Sequence, residues 1–157
     1  MDNVNLAEVL VKEAVVLDHE PFSDKNQMFD FMASKFVEAG IVTDKEAYKK
    51  ALYEREELGP TYMGNEIGLP HGKCDEVIKP GIGFCRCTDT FSYESCGEVG
   101  DVKYVFMLAI AGTQSGEQYM RVLATLAGLL AHDEFLDILS TCQSYEDLLT
   151  KIDEFSK

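Results

Sequence analysis

Apolar positions in the first part of the chain predict one strand followed by a helix. Residues 14–18 form a short apolar run, Ala-Val-Val-Leu-Asp, that suits a first strand. The next apolar positions recur at helical spacing, and they are Met28, Phe29, Met32, Phe36 and Val37. Ser23 stands where an N-cap is expected, and Gly40 stands where a C′ glycine would close the helix.

A second helix is predicted to open at a capping box, Thr43-Asp-Lys-Glu46, and to end before Gly59 and Pro60. Its inward positions are Ala47, Tyr48, Ala51 and Leu52. Beyond Thr61 the pattern changes to three short strand-like runs, at residues 67–69, 81–87 and 104–110, with Gly, Pro and Asp turns between them.

Three helices are predicted after the last strand. The first carries an apolar stripe of Met120, Leu123, Leu126, Ala127 and Leu130. A shorter helix covers residues 134–139, and the last opens at Ser144 with Asp147 three positions on. That last helix turns Leu148, Leu149 and Ile152 to the core.

The order of elements is therefore strand, helix, helix, three strands and three helices, in a single domain spanning residues 1–157. Strands with helices on both sides in the sequence predict an α/β fold, a three-layer α/β/α sandwich. Because the consecutive strands between residues 80 and 110 can pair antiparallel, we expect a mixed sheet of about four to five strands.

Charge narrows the classes of partner. The 157 residues carry a formal net charge of −14, which argues against binding nucleic acid and against an anionic membrane surface. The same charge favours a basic protein partner. The longest apolar stretch is far shorter than the roughly 20 residues of a membrane span. Because the N-terminus has neither a basic start nor an apolar core, we expect a cytoplasmic protein.

The five cysteines are an odd number at irregular spacing, so we expect reduced thiols rather than a disulfide framework. Cys85 and Cys87 lie two apart in a strand-like run, which puts both side chains on one face. Their spacing fits neither a C-x-x-C redox pair nor a zinc site, and buried structural thiols are the simpler interpretation.

The segment that ends in Pro70, His71 and Gly72 is the most unusual in the chain. Pro70 fixes φ, and Gly72 allows either a close approach of backbone to the imidazole or a positive φ. We therefore expect His71 to be an exposed, oriented nucleophile, mostly neutral at cell pH. It is not part of a nucleotide-binding P-loop, because only three residues separate Gly68 from Gly72 and a cysteine follows the lysine.

Residue chemistry alone leaves His71 equally open to a structural role in a turn, because acid–base and metal roles normally need partners. His19 lies at the end of the first strand and His132 in a polar corner between helices, so both read as ordinary surface or turn residues. We expect no metal site.

The whole pattern resembles the Enzyme IIA family of the bacterial sugar phosphotransferase system, of the fructose/mannitol type, over nearly the whole chain. The resemblance is carried by Glu54-Arg55-Glu56, Thr61, and the motif Gly64-x-x-Ile67-Gly-Leu-Pro-His71-Gly72. It extends to the strand ending Phe-Met-Leu-Ala-Ile110 and to the helix with the rhythm Met120-Arg-Val-Leu-Ala-Thr-Leu-Ala127.

The resemblance implies that His71 accepts a phosphoryl group from the histidine phosphocarrier protein. It would then pass the group to a cysteine on a IIB partner, for sugar or polyol uptake through a membrane IIC component, with no cofactor. Arg55 can supply a planar fork of donors, Thr61 a hydroxyl, and the backbone around Gly72 further N–H groups. The alternatives are a solvated helix-end charge for Arg55 and a turn hydroxyl for Thr61.

The chain departs from the family at one position. Family members usually carry a second histidine near the start of the helix after the last strand, and the alignment puts Tyr119 there, with Gln118 at the preceding glutamate. Tyr119 can donate a hydrogen bond to a phosphoryl oxygen but cannot carry a positive charge. The alternative is that Tyr119 only packs at the start of its helix.

Three rival functions follow. One is a regulatory relative that uses the same histidine to signal by binding a partner, which the change at Tyr119 favours. Another is a degenerate binding module that keeps the fold without the chemistry. The third is a thiol enzyme that uses Cys74, which lacks both a paired cysteine and a base other than His71.

Overall fold

The computed structural model of the protein describes residues 6–114 and 116–155. The strands are β1 (Leu10–His19), β2 (Tyr62–Gly64), β3 (Ile67–Gly68), β4 (His71–Cys74), β5 (Gly81–Ser95) and β6 (Glu98–Ala111). The helices are α1 (Leu6–Val9), α2 (Lys25–Glu38), α3 (Lys45–Glu56), α4 (Gly116–Leu130), α5 (Asp133–Thr141) and α6 (Tyr145–Phe155). None of the described helices is long and apolar enough to cross a membrane.

The six described strands form one mixed sheet in the order β1-β5-β6-β3-β2, with β4 also paired to β6. β5 and β6 are antiparallel, whereas β1 runs parallel to β5 and both β3 and β4 run parallel to β6. The mixed sheet was predicted. The strand count is higher than the expected four to five because β2 and β4, with three and four residues, are too short to give a repeating apolar pattern.

The β5–β6 hairpin is also longer than predicted. The sequence pattern breaks at the polar residues 88–90, and the ladder has a register shift between Arg86 and Phe91. Beyond that shift the pairing resumes up to Ser95 and Glu98. An irregularity of this kind moves the inward positions out of a strict period of two, which hides the continuation of the strand.

Helices cover both faces of the sheet, as the predicted three-layer sandwich requires. One buried cluster joins the sheet to α2 and α3, and it includes Met28, Phe36 and Tyr48. The opposite cluster joins the sheet to α1, α4, α5 and α6, and it includes Phe106 and Phe135. Alternate residues of the strands supply the two clusters.

Two predicted N-caps are wrong by one residue. Asp24, not Ser23, caps α2 by accepting the Gln27 N–H at 2.8 Å. Asp44, not Thr43, caps α3 by accepting the Ala47 N–H at 3.2 Å. In both pairs of candidate caps the carboxylate is chosen over the neighbouring hydroxyl, which fits the strong preference for an anionic acceptor at a helix N-terminus.

Other predicted helix ends are confirmed. Gly40 follows the end of α2 with φ of 77°, and the Ser144 hydroxyl accepts the Asp147 N–H at the start of α6. The predicted stripe of α4 is wrong at Met120, whose side chain is 56% exposed. Leu126 and Leu130 are buried as expected.

All five cysteines are free thiols, and Cys85 and Cys87 are both buried on the α2–α3 side of the sheet. The expectation of structural thiols on one face is therefore confirmed for this pair.

Candidate functional site

His71 begins a strand immediately after a break in the sheet. β3 stops at Gly68, and β4 resumes the parallel pairing with β6 at His71, opposite Leu108. Pro70 lies in the break, where it has no N–H for a ladder, while its carbonyl accepts the Leu108 N–H at 3.0 Å. Leu69 also lies in the break, and its carbonyl faces the His71 side chain.

The imidazole of His71 is buried, with only 7% of the residue exposed, so the expectation of an exposed nucleophile is wrong. The ring is held at both nitrogens. Nδ1 lies 3.1 Å from the Leu69 carbonyl, and Nε2 lies 3.0 Å from Nε of Arg55. Because a carbonyl only accepts and a guanidinium only donates, the proton is on Nδ1 and the lone pair is on Nε2.

The surroundings of His71 favour its neutral form. Burial lowers the pKa of His71 below its ordinary value, and the positive charge of Arg55 lowers it further. The Leu69 carbonyl and Glu56 act against this shift without reversing it. The site therefore presents a neutral imidazole with its nucleophilic lone pair on Nε2.

Arg55 lies in the last turn of α3, where its guanidinium bridges two elements of the site. Its Nε–H donates to His71, and Nη1 donates to the Gly59 carbonyl at 3.0 Å. The bond to Gly59 fixes the plane of the guanidinium, so that the remaining N–H groups are held in a defined orientation beside Nε2.

Thr61 is buried, and its hydroxyl belongs to a hydrogen-bond network with Glu56 and Tyr93. The hydroxyl donates to Oε2 of Glu56 at 2.6 Å and lies 2.6 Å from the Tyr93 hydroxyl. The Thr61 carbonyl accepts the Leu69 N–H at 2.8 Å. Thr61 is therefore joined to His71 through the backbone of Leu69.

Gly72 allows α3 to pack directly against β4. A Cβ at this position would lie 3.1 Å from the Leu52 nitrogen and 3.2 Å from the Tyr48 ring. Its φ is not positive, so of the two uses predicted for Gly72 only close approach applies, and the approaching group is α3 rather than the imidazole.

Lys73 is a site residue that the sequence reasoning missed. Strand alternation puts His71 and Lys73 on the same face of β4, toward α4. The Lys73 ammonium lies 5.8 Å from the centre of the Tyr119 ring, within the range of a cation–π contact. No local sequence pattern marks Lys73, because β4, with four residues, is too short for its alternation to be predicted.

The remaining candidates lie apart from this arrangement or do not suit it. His19 stacks on Phe22, and His132 precedes α5 without a side-chain capping bond. Burial raises the pKa of the Cys74 thiol, which disfavours the thiolate that a thiol enzyme needs. Across residues 6–114 and 116–155, no group of three or more His, Cys, Asp or Glu side chains is placed to hold a metal ion.

The chain matches a known family over almost its whole length. A family model described as "Phosphoenolpyruvate-dependent sugar phosphotransferase system, EIIA 2" matches residues 8–155.

Among curated relatives, the fructose-specific EIIA component of Haloferax volcanii is 29% identical, with 98% of this chain and 100% of that protein covered. The mannitol-specific enzyme IIA component of Bacillus subtilis is 31% identical, with 94% and 98% covered. The chain also matches the fructose-specific EIIABC component of Bacillus subtilis at 30% identity, but spans only 24% of its length.

Solved structures share the fold. The nitrogen regulatory protein IIA-Ntr of Neisseria meningitidis superposes with a TM-score of 0.79 at 23% identity, covering 93% of this chain and 97% of that one. The mannitol IIA of Escherichia coli superposes with a TM-score of 0.70 at 25% identity, covering 89% and 96%. A complex of the mannitol IIA with phosphorylated mannitol IIB, also from Escherichia coli, matches at 24% identity and a TM-score of 0.71, covering 90% and 95%.

Proposed function

Because this chain belongs to the EIIA 2 family of the phosphoenolpyruvate-dependent sugar phosphotransferase system, we propose that it carries a phosphoryl group on Nε2 of His71. The donor is the histidine phosphocarrier protein, and the acceptor is a cysteine of a IIB protein or domain. The observation that carries this proposal is the neutral imidazole whose Nδ1 is fixed on the Leu69 carbonyl and whose Nε2 faces Arg55.

The transfer step follows from this geometry. The Nε2 lone pair attacks phosphorus, an N–P bond forms, and the bond from phosphorus to the donor histidine breaks with its electron pair returning to the donor nitrogen. Positive charge then builds up on the His71 ring, where the bond from Nδ1–H to the Leu69 carbonyl stabilises it. In the onward step the IIB thiolate attacks phosphorus, an S–P bond forms, and the N–P bond breaks with its electron pair returning to Nε2 of His71.

Arg55 changes its partner during this step. Its Nε–H donates to Nε2 in the resting protein, and once Nε2 is bonded to phosphorus the same donor is placed to reach a phosphoryl oxygen. The charge of the transferring group is spread over three oxygens, so a fixed guanidinium fork is suited to stabilising it.

Three further residues support the site in this proposal. Thr61 acts through its bonds to Glu56 and to Leu69, which fix the backbone before His71. Gly72 brings β4 against α3. Because alternate residues of a parallel strand bond to the neighbouring strand, the backbone N–H groups of His71 and Lys73 point away from β6. Tyr119 lies under the Lys73 ammonium, a second cation on the face of His71.

The partners are inferred from relatives. The Escherichia coli complex pairs a mannitol IIA with phosphorylated IIB, and the Bacillus subtilis relative is an EIIABC protein. By analogy we place this chain in the cytoplasm, delivering phosphoryl groups to a IIB unit that serves a membrane IIC component. Fructose and mannitol, the sugars in the names of its relatives, are the first substrates to test.

A regulatory role is the second candidate. The fold also matches a nitrogen regulatory IIA protein, and Tyr119 stands where the usual second histidine is expected. Both roles use the same phosphohistidine, so onward transfer separates them: a transport carrier passes the group to a IIB cysteine, and a regulator does not.

The deciding experiment is incubation with phosphoenolpyruvate, Enzyme I and the histidine phosphocarrier protein, followed by intact mass and acid treatment. We expect an acid-labile gain of one phosphoryl group that is absent in His71→Ala and present in the control His132→Gln. No gain, under conditions that phosphorylate a known IIA protein, would refute the carrier function and favour the degenerate module.

A further inference from the structure

We propose that Glu56 is a positioning residue that fixes both nitrogens of the His71 imidazole. Its effect on phosphoryl transfer rests on the proposed function of His71, whereas its effect on the ring does not. Glu56 is the last residue of α3 and follows Arg55 directly. It has no contact with a reacting atom in this assignment and acts through the residues that hold His71.

The carboxylate of Glu56 is buried, with 6% of the residue exposed. Oε2 accepts the Thr61 hydroxyl at 2.6 Å, and Oε1 accepts the Lys25 ammonium at 2.8 Å. Burying such an ion pair costs desolvation energy, so the pair adds little to stability compared with an apolar replacement. We therefore assign to the Glu56–Lys25 pair a positional role, which is to hold the residues around His71 in place.

One route from Glu56 leads to Nδ1 of His71. Thr61 donates its hydroxyl to Glu56 and accepts the Leu69 N–H on its carbonyl at 2.8 Å. The Leu69 carbonyl in turn accepts Nδ1–H of His71. Thr61 is further fixed by its N–H, which donates to the Ser95 hydroxyl at 2.8 Å, and by Tyr93. The position of the Leu69 carbonyl therefore depends on Thr61.

The other route leads to Nε2. Consecutive residues of a helix point about 100° apart, so Glu56 can anchor the end of α3 in the interior while Arg55 reaches His71. The end of α3 is also tied to the β5–β6 turn, because the Cys96 thiol donates to the Glu56 carbonyl at 2.8 Å. Lys25 ties it to the start of α2.

Glu56→Gln tests the positioning directly because it keeps the shape of the side chain. The carboxylate accepts from Thr61, Lys25 and Ser95, whereas the amide has one acceptor oxygen, so at least one of these donors loses its partner. We expect the variant to fold, the His71 ring to populate both tautomers, and phosphoryl transfer to slow about 10- to 100-fold, as misplacement by about 1 Å does in other sites.

The tautomer is read from the ¹⁵N chemical shifts of the His71 ring in the unphosphorylated protein, and the rate from single-turnover transfer. Asp18→Asn is the matched control, because it likewise replaces a carboxylate that pairs with a cation. That cation is the buried Arg86 of β5, which bonds to the Cys142 carbonyl after α5. The control should keep the wild-type tautomer and rate. Glu56→Gln with the wild-type tautomer and rate would overturn the proposal.

Thr61→Val is the second variant, and it decides the question if Glu56→Gln does not fold. It removes the hydroxyl but keeps the carbonyl that binds Leu69, and we expect the same change of tautomer. A wild-type tautomer in folded Thr61→Val would refute the route through Leu69. If the wild-type protein accepts no phosphoryl group, the proposed function fails while the ring shifts still test the positioning role of Glu56.

Discussion

The Nε–H group of Arg55 points at Nε2 of His71 across 3.0 Å, so the lone pair of this unprotonated nitrogen accepts a hydrogen bond from a cationic donor. This bond both orients the imidazole and covers the reactive lone pair until a partner arrives. It also places a permanent charge within contact distance of any group that attaches to Nε2. Arg55 is therefore expected to act on the rate of transfer and on the titration of His71.

Arg55→Ala should slow phosphorylation of His71 by about 10²–10³, the loss typical of one removed donor to developing charge. It should also raise the pKa of His71, because the positive charge of Arg55 lowers it. Single-turnover transfer and an NMR titration of the His71 ring measure the two effects. Arg121→Ala is the control, since that arginine pairs with Glu117 on the exposed face of α4.

A change in rate of less than twofold in Arg55→Ala would contradict the role of Arg55 in the transfer. An unchanged pKa of His71 would separately contradict the electrostatic coupling between the two side chains.

His71 should also make stability depend on pH in a defined direction. Its pKa is lower in the folded protein than the ordinary 6.5, chiefly because of burial. Above pH 6.5 the imidazole is neutral in both the folded and the unfolded protein, and burying it costs no stability through protonation. As pH falls below it the unfolded chain binds the proton first, so stability declines until the folded pKa is passed and then levels off.

Urea unfolding of the wild type and of His71→Gln between pH 5 and 8 tests this. The free energy of unfolding of the wild type should fall more steeply toward pH 5 than that of the variant. All other ionisable side chains are the same in the two proteins, so their contributions largely cancel in the difference. Parallel curves would show that burial does not shift the pKa of His71.

The architecture was predictable where side-chain periodicity is strong. The layers are determined by the apolar helical stripes through Met28 and Leu126 and by the apolar strands around Phe84 and Phe106. Each of these follows its period over several turns or alternations. β2 and β4 carry no such period. β2 pairs with β3 across the two-residue turn at 65–66, whereas β4 pairs with residues 108–111 of β6, far along the chain.

The site was predictable by residue type but not by geometry. Pro70 and Gly72 marked His71, and the resemblance added Arg55, but the burial of His71 and its bond to Arg55 depend on tertiary packing around β4, which residue type does not reveal. The role of Glu56 was hidden for a different reason. Its partners Lys25, Thr61 and Ser95 are scattered along the chain and meet only in the folded protein.

Gly72→Ala should destabilise the protein by about 1–3 kcal/mol, the usual cost of overpacking a tight contact. The new Cβ would lie 3.1–3.3 Å from the Leu52 nitrogen, the Tyr48 ring and the Ala51 Cβ, and the helix backbone cannot easily give way. Urea unfolding measures the cost. Gly59→Ala is the control, because nothing lies within 4 Å of a Cβ there; equal stability of the two variants would contradict the close packing of α3 on β4.

The ring of Tyr119 and its hydroxyl have separable roles. The Lys73 ammonium lies over the ring, so Tyr119→Phe should keep the cation–π contact and leave the transfer rate within about twofold. Lys73→Met removes a charge on the face of His71 and should slow transfer about fivefold, in line with the value of an exposed charge pair. Lys79→Met, at an exposed position before β5, is the control for net charge. A tenfold loss in Tyr119→Phe would instead assign its hydroxyl to the phosphoryl group.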